Sequence, residues 1–235
     1  GFIDSDDYIE EDMYETLYRQ IKEANADLAM CGHYDVYNQF PEKQVSEIKT
    51  WQLSSEEAIK MVMEAKVLSV TAVNKLYKKE LFDQLRFEVG KIAEDAFIMI
   101  RLLSQCQKVA ATNEKKYYYV HRENSITTQK FSLKFLNVIE AYEQNANIIR
   151  EQYPAIADVA SMRLNWAYFY VLDRLLVDSD FKDKALEDKL IAYLKKNSMN
   201  ILRDGRFTSA RKISFLALVI SRKLYTKILL SQDHR

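Results

Sequence analysis

The sequence predicts an α/β segment followed by an all-α segment, with the change near residue 128. Three observations carry this. Up to that point, stretches of helical period alternate with extended, aromatic or β-branched stretches. Beyond it only helical patterning remains, and the 235 residues are 48% hydrophobic and 29% charged, enough apolar material to bury a sizeable core. The expected domains are 1–128 and 129–235.

The elements follow in order. Met13, Leu17, Ile21 and Ala24 recur at helical spacing, predicting a helix over 10–24. Residues 27–37 are apolar and aromatic with partial alternation, a strand or pair of strands. Ser54 with Glu57 forms a capping box ahead of Ala58, Ile59, Met61, Val62 and Met63, a second helix. Residues 95–105 are apolar almost all round, a buried helix, and 108–111 and 117–120 read as two strands. Helices are then expected over 132–152 and 155–178, divided by Pro154, over 181–196, and, after Gly205, as one helix over 209–230. At the other end, Phe2-Ile3 reads as the tail of a buried strand, and the chain as a piece of a longer protein.

Composition excludes several classes. Lys plus Arg and Asp plus Glu both number 34, so no global field recommends nucleic acid. Cys31 and Cys106 stand far apart without the spacing of a zinc site, as expected of buried thiols in the cytoplasm. No leader and no apolar run of spanning length is visible.

Chemistry concentrates in four clusters. In the first, Asp4-Ser5-Asp6-Asp7, an extended backbone would point Asp4 and Asp6 the same way, as a hard cation sharing phosphate oxygens requires. The same acids could instead complement the helix that follows. The second is Asn74-Lys75-Leu76-Tyr77, where an amide and a cation interrupt an apolar stretch, with Leu76 and Phe82 expected in the core and Lys78 and Lys79 solvated. The third is Glu94-Asp95, at the entrance of the apolar helix, where capping is the plain alternative. The fourth runs from Tyr117-Tyr118-Tyr119 through His121 and Arg122 into a polar loop, and a histidine there could equally be a hydrogen-bonded structural one.

In this order the clusters resemble the C-terminal half of a bacterial family 2 glycosyltransferase, the inverting GT-A type that builds capsules, exopolysaccharides and cell-wall glycans. The resemblance rests on Phe2 to Asp7, Asn74 to Tyr77, Arg86-Phe87, Glu94-Asp95, and Tyr118-Tyr119 through Arg122, Asn124, Ser125 and Ile126. It implies a partial GT-A, Rossmann-like mixed sheet. It also implies Mn²⁺ or Mg²⁺ held by Asp4 and Asp6 against the diphosphate of a nucleotide-sugar donor, and Asp95 as the base on a saccharide or lipid-linked acceptor. Asp7, Asn74, Lys75, Glu94, His121 and Arg122 would line the substrates: Arg122 toward the diphosphate, His121 toward phosphates or metal, Lys75 toward phosphate or acceptor. The family's first nucleotide-binding segment has no counterpart here, so this chain alone is expected to bind donor poorly and to be inactive, a point for calorimetry with and without Mn²⁺. The competing expectation is a noncatalytic docking module whose acids only cap helices.

The tail is locally basic. From Arg203 onward eight basic residues face two acids. Ile213, Leu216, Ala217, Ile220, Leu224 and Ile228 share one helical face, with Arg211, Lys212, Lys223 and Lys227 outside it. That face either packs into the helical domain, the reading favoured from composition, or lies on the inner surface of an anionic membrane.

Overall fold

A computed structural model describes residues 1–43, 46–122, 130–177 and 180–232. The chain divides into two compact units, Gly1–Gln129 and Lys130–Arg235.

The first unit is a mixed sheet with helices. Its strands are β1 (Tyr8–Ile9), β2 (Leu28–Val36), β3 (Thr50–Leu53), β4 (Lys75–Tyr77) and β5 (Val109–Val120). The order is β1-β5-β2-β4, and β3 joins the same side of β5 as β1. Strands β2 and β5 run parallel, and every other pairing is antiparallel. The segments 108–111 and 117–120 are therefore one twelve-residue strand, not two. Polar Thr112 to Lys116 hide its continuity in the sequence, yet Thr112 and Lys116 are buried. A register shift between Met30 and His33 accommodates the parallel pairing. At the shift a Cβ on Gly32 would stand 3.0 Å from the Asn113 carbonyl oxygen, a close approach that glycine permits. Strands β3 and β4, too short to show a period, were not anticipated.

Helix α1 (Met13–Ala24) buries Met13, Thr16, Leu17 and Ala24 and ends on Asn25 in the left-handed region at φ 49°. Helix α2 (Ser55–Glu64) starts at the expected box: Ser54 accepts the Glu57 N–H, and the Glu57 carboxylate accepts the Ser54 N–H at 2.8 Å. Helix α3 (Glu94–Gln105) is buried along Ala96 to Ile100 and again at Leu102 and Leu103, as its all-round apolar composition requires.

Phe2 and Ile3 are not in a strand. Both are exposed, and Phe2 instead meets Tyr77, Phe82 and Phe87 edge-on, with centroids 5.4–5.8 Å away. Edge-to-face contact with three rings holds this segment without any ladder.

The second unit is helical: α4 (Leu136–Gln152), α5 (Ala157–Val177), α6 (Lys184–Lys196), α7 (Ser198–Arg203), α8 (Ser209–Ile220) and α9 (Arg222–Gln232). Helices α4 and α5 pack together, with Trp166 stacked on Tyr170 at 5.3 Å and edge-on to Tyr142 at 6.0 Å. The expected single helix over 209–230 is two, because Ser221 is extended at φ −157°, ψ 126°. The break changes which side is buried. Ser214, Phe215, Ala217, Leu218, Tyr225 and Leu229 face inward, whereas Ile213, Leu216, Ile220 and Leu224 are exposed, so the reading that they form the packed face is overturned. Arg211, expected outside, is drawn in: it donates to Asp173 Oδ2 at 2.7 Å and to the Tyr225 hydroxyl at 3.1 Å.

Candidate functional site

The acidic N-terminal segment is a turn and not the extended stretch expected of it: the Asp7 N–H donates to the Asp4 carbonyl at 3.1 Å. Strand β5 fixes that turn. The Tyr117 hydroxyl donates to Asp7 Oδ2 at 2.5 Å and accepts the Asp4 N–H at 3.2 Å, while the Val120 N–H donates to Asp7 Oδ1 at 2.8 Å. Both Asp7 oxygens are thus engaged by the sheet, which makes Asp7 an anchor of the turn. Asp4 is exposed and Asp6 half-buried. Partial desolvation and the charges of Asp7, Asp6 and Glu94 raise the Asp4 carboxyl above its ordinary value.

Glu94 and Asp95 arrive at the same acidic neighbourhood from the first turn of α3, whose cap, Ala93, sits in the left-handed region at φ 58°. The Asp95 carboxyl is pushed up to about 6. Burial is the main cause; the Ala72 N–H and the Lys75 charge oppose it, and the charges of Glu94 and Asp4 add to it. The Ala72 N–H reaches Asp95 Oδ2 at 2.9 Å. Fold topology therefore brings acids about ninety positions apart into one electrostatic neighbourhood.

The segment that presents Ala72 is clamped from several directions. The Tyr77 hydroxyl donates to the Ala72 carbonyl at 2.7 Å. Lys75, fully buried, donates through Nζ to the Thr71 carbonyl at 2.5 Å and to Asn74 Oδ1 at 2.9 Å. Asn74, also buried, has φ 57°; its amide donates to the Cys31 carbonyl, and its own carbonyl accepts Cys31 Sγ at 3.4 Å. Both side chains thereby support the turn that presents Ala72. Burial is the reason: an ammonium excluded from water takes whatever oxygens the fold provides, and its pKa falls to about 8.

The pair after β5 separates. His121 Nε2 lies 2.8 Å from Asp35 Oδ1, and its ring stacks on Tyr37 at 4.3 Å, a contact with the end of β2. Arg122 turns to the acids, with Nε 3.6 Å from Asp6 Oδ2 and Nη2 donating to the Asp6 carbonyl at 3.4 Å. Asn124, Ser125 and Ile126 lie outside the described residues. Of the apolar side chains in the 76–82 stretch Leu81 is buried, Leu76 is half-buried against the core and Phe82 is half-buried, and Lys78 pairs with Asp27 at 2.7 Å. Tyr117, Ala72 and Asp35 were not anticipated as site residues; the triple tyrosine was the only local sign of the first.

Among the described residues no three His, Cys, Asp or Glu side chains form a group that could hold a metal ion.

Comparison with known proteins adds sequence and fold relations. The model of glycosyl transferase family 2 matches residues 1–86. The glycosyltransferase GlyA of Streptococcus pneumoniae is 34% identical over 140 residues, 54% of this chain and 19% of GlyA. GlyG of the same organism is 26% identical over 174 residues, 70% of this chain and 56% of GlyG. The chain thus spans less than two thirds of either relative. The crystal structure of S. aureus TarS 1–349 in complex with UDP-GlcNAc superposes with a TM-score of 0.61 at 16% identity, covering 99% of this chain and 67% of that one. At that identity the likeness concerns the fold: a mixed sheet with helices, continued by a helical part.

Proposed function

Residues 1–86 of this chain belong to glycosyltransferase family 2, and from that premise we propose that the protein is part of a metal-dependent, inverting glycosyltransferase acting in the cytoplasm. In this reading a sugar passes from a nucleotide-sugar donor to a saccharide or lipid-linked acceptor, in capsule, exopolysaccharide or cell-wall glycan synthesis. The observation that carries the reading is the convergence of Asp4, Asp6, Glu94 and Asp95 from two distant segments of a partial GT-A fold, with Arg122 beside Asp6.

The donor set suits a hard cation that draws its remaining ligands from diphosphate and water, which is why two carboxylates suffice. Desolvation and the negative charges of Asp7, Asp6 and Glu94 raise the Asp4 carboxyl, and a divalent ion would relieve that crowded charge. Asp4 and Asp6 would hold Mn²⁺ or Mg²⁺, and the ion, when bound, supplies charge neutralisation for the departing diphosphate. Arg122 adds a fixed positive charge on the same side. Asp95 takes the acceptor hydroxyl's proton as that oxygen attacks the anomeric carbon from the face opposite the leaving group. A carboxyl near 6 is a stronger base than an ordinary aspartate and still ionised at neutral pH. Glu94 orients the acceptor, and the Ala72 N–H fixes the Asp95 rotamer. The UDP-GlcNAc in the TarS complex supports a nucleotide-sugar as donor class.

The test is Asp95→Asn in an active enzyme containing this segment. The expected outcome is loss of transfer by at least about a hundredfold with the fold retained. Unchanged turnover would remove Asp95 as the base and leave it as a helix-capping residue.

A further inference from the structure

The outward side of the tail is the part of the surface that its unit's own packing leaves unexplained. On α8, Ile213, Leu216 and Ile220 follow helical spacing and are 63%, 47% and 78% exposed, with Val219 beside them. Across the Ser221 break, Leu224 and Leu230 on α9 are also exposed. Six large apolar side chains within two consecutive helices are more than the scatter normal for a surface.

Charge identifies the partner. Between Gly205 and Gln232 there is no Asp or Glu and there are six cations. Three of these are committed inside the unit: Arg206 to Asp204 and Asp158, Arg211 to Asp173, and Arg222 to Glu187. Lys223 and Lys227 are exposed beside Leu224 and Leu230 and take part in no ion pair among the described residues. A second copy of this chain pairing through the strip would bring lysine against lysine with no carboxylate in the segment to answer them. An anionic lipid surface answers both the apolar strip and the lysines. No helix is long and apolar enough to cross a membrane, so contact would be interfacial.

We propose that α8 and α9 dock this protein on an anionic lipid bilayer, with Ile213, Leu216, Ile220 and Leu224 entering the boundary between headgroups and acyl chains and Lys223 and Lys227 meeting lipid phosphates. The proposal stands apart from the chemistry assigned to the acidic cluster.

Flotation of the 235-residue chain with vesicles of phosphatidylcholine containing about a third phosphatidylglycerol, and with phosphatidylcholine alone, tests it. The chain is expected to float with the mixed vesicles and about tenfold less with the neutral ones. Lys223→Glu with Lys227→Glu should lower mixed-vesicle binding by about tenfold or more, and Leu216→Ser with Ile220→Ser should abolish binding to both. All four positions are exposed, so circular dichroism should be unchanged. Absence of flotation, or flotation indifferent to both double variants, overturns the proposal. So does a concentration-dependent dimer in sedimentation that Ile220→Ser dissolves, which would give the strip to a second copy.

Discussion

Asp95 shows how one residue's surroundings decide both stability and reactivity. Its carboxyl stands at about 6 against an ordinary 3.8, so the native state keeps a proton that the unfolded chain has already released. Native stability therefore falls as pH rises from about 4 to about 6, and the loss is fully present above that window. Asp95→Asn removes the ionisation: in urea unfolding it should be more stable than the parent chain at pH 7 to 8, by ~1–3 kcal/mol, and the two should converge below about pH 4. In an active enzyme the same group predicts an acid limb in kcat/KM near pH 6, read from a pH–rate profile. Retention of that limb in Asp95→Asn would assign it to another group. The two measurements separate cost from use. A charge held in a desolvated position destabilises the fold while making the base stronger.

At the scale of elements, the turn from Thr71 to Lys75 resembles a brace between β2 and α3 more than a binding loop. Asn74 contributes on both counts that its position demands, tolerance of φ 57° and an amide that bridges Cys31 and Lys75. Asn74→Ala should cost ~2–4 kcal/mol in urea unfolding, and Asn74→Gly somewhat less, since glycine keeps the left-handed conformation and loses only the hydrogen bonds. Equal cost for the two would mean that backbone strain contributes nothing. In the helical unit Asp173 carries a comparable load. It lies half-buried between Arg211 and Tyr225, and desolvation raises its carboxyl despite both partners. Removing it as Asp173→Ala strands the Arg211 guanidinium and should cost about 3 kcal/mol or more, measured by thermal melting of the chain.

For the molecule as a whole, the core of the first unit can be followed through its two cysteines. Cys31 lies on β2 and Cys106 just after α3; both are buried, and burial pushes each thiol up to about 12. A thiol reagent should therefore label neither in the native chain and both in denaturant, and labelling rates at intermediate denaturant report the opening of that unit. Prompt native labelling would contradict the packing described.

Much of this architecture was legible in the sequence. The Ser54–Glu57 box, the all-round apolar helix after Asp95 and the shift to helices alone near residue 128 are local signals, and local hydrogen bonding or hydrophobic period decides each of them. The acidic clusters were also legible as clusters, since residue type and order survive without coordinates. What only the tertiary structure decided is which side chains remain available. Tyr117 takes up Asp7, buried oxygens take up Lys75, Asp35 takes up His121, and the Ser221 break turns Ile213 and Ile220 outward. Tyr117 and Asp35 reach their partners across 110 and 86 positions, Lys75 takes oxygens four and one positions away because burial denies it water, and the Ser221 break is a backbone angle that apolar periodicity does not encode. A sequence states what a residue can do, and long-range packing determines whether it is already committed.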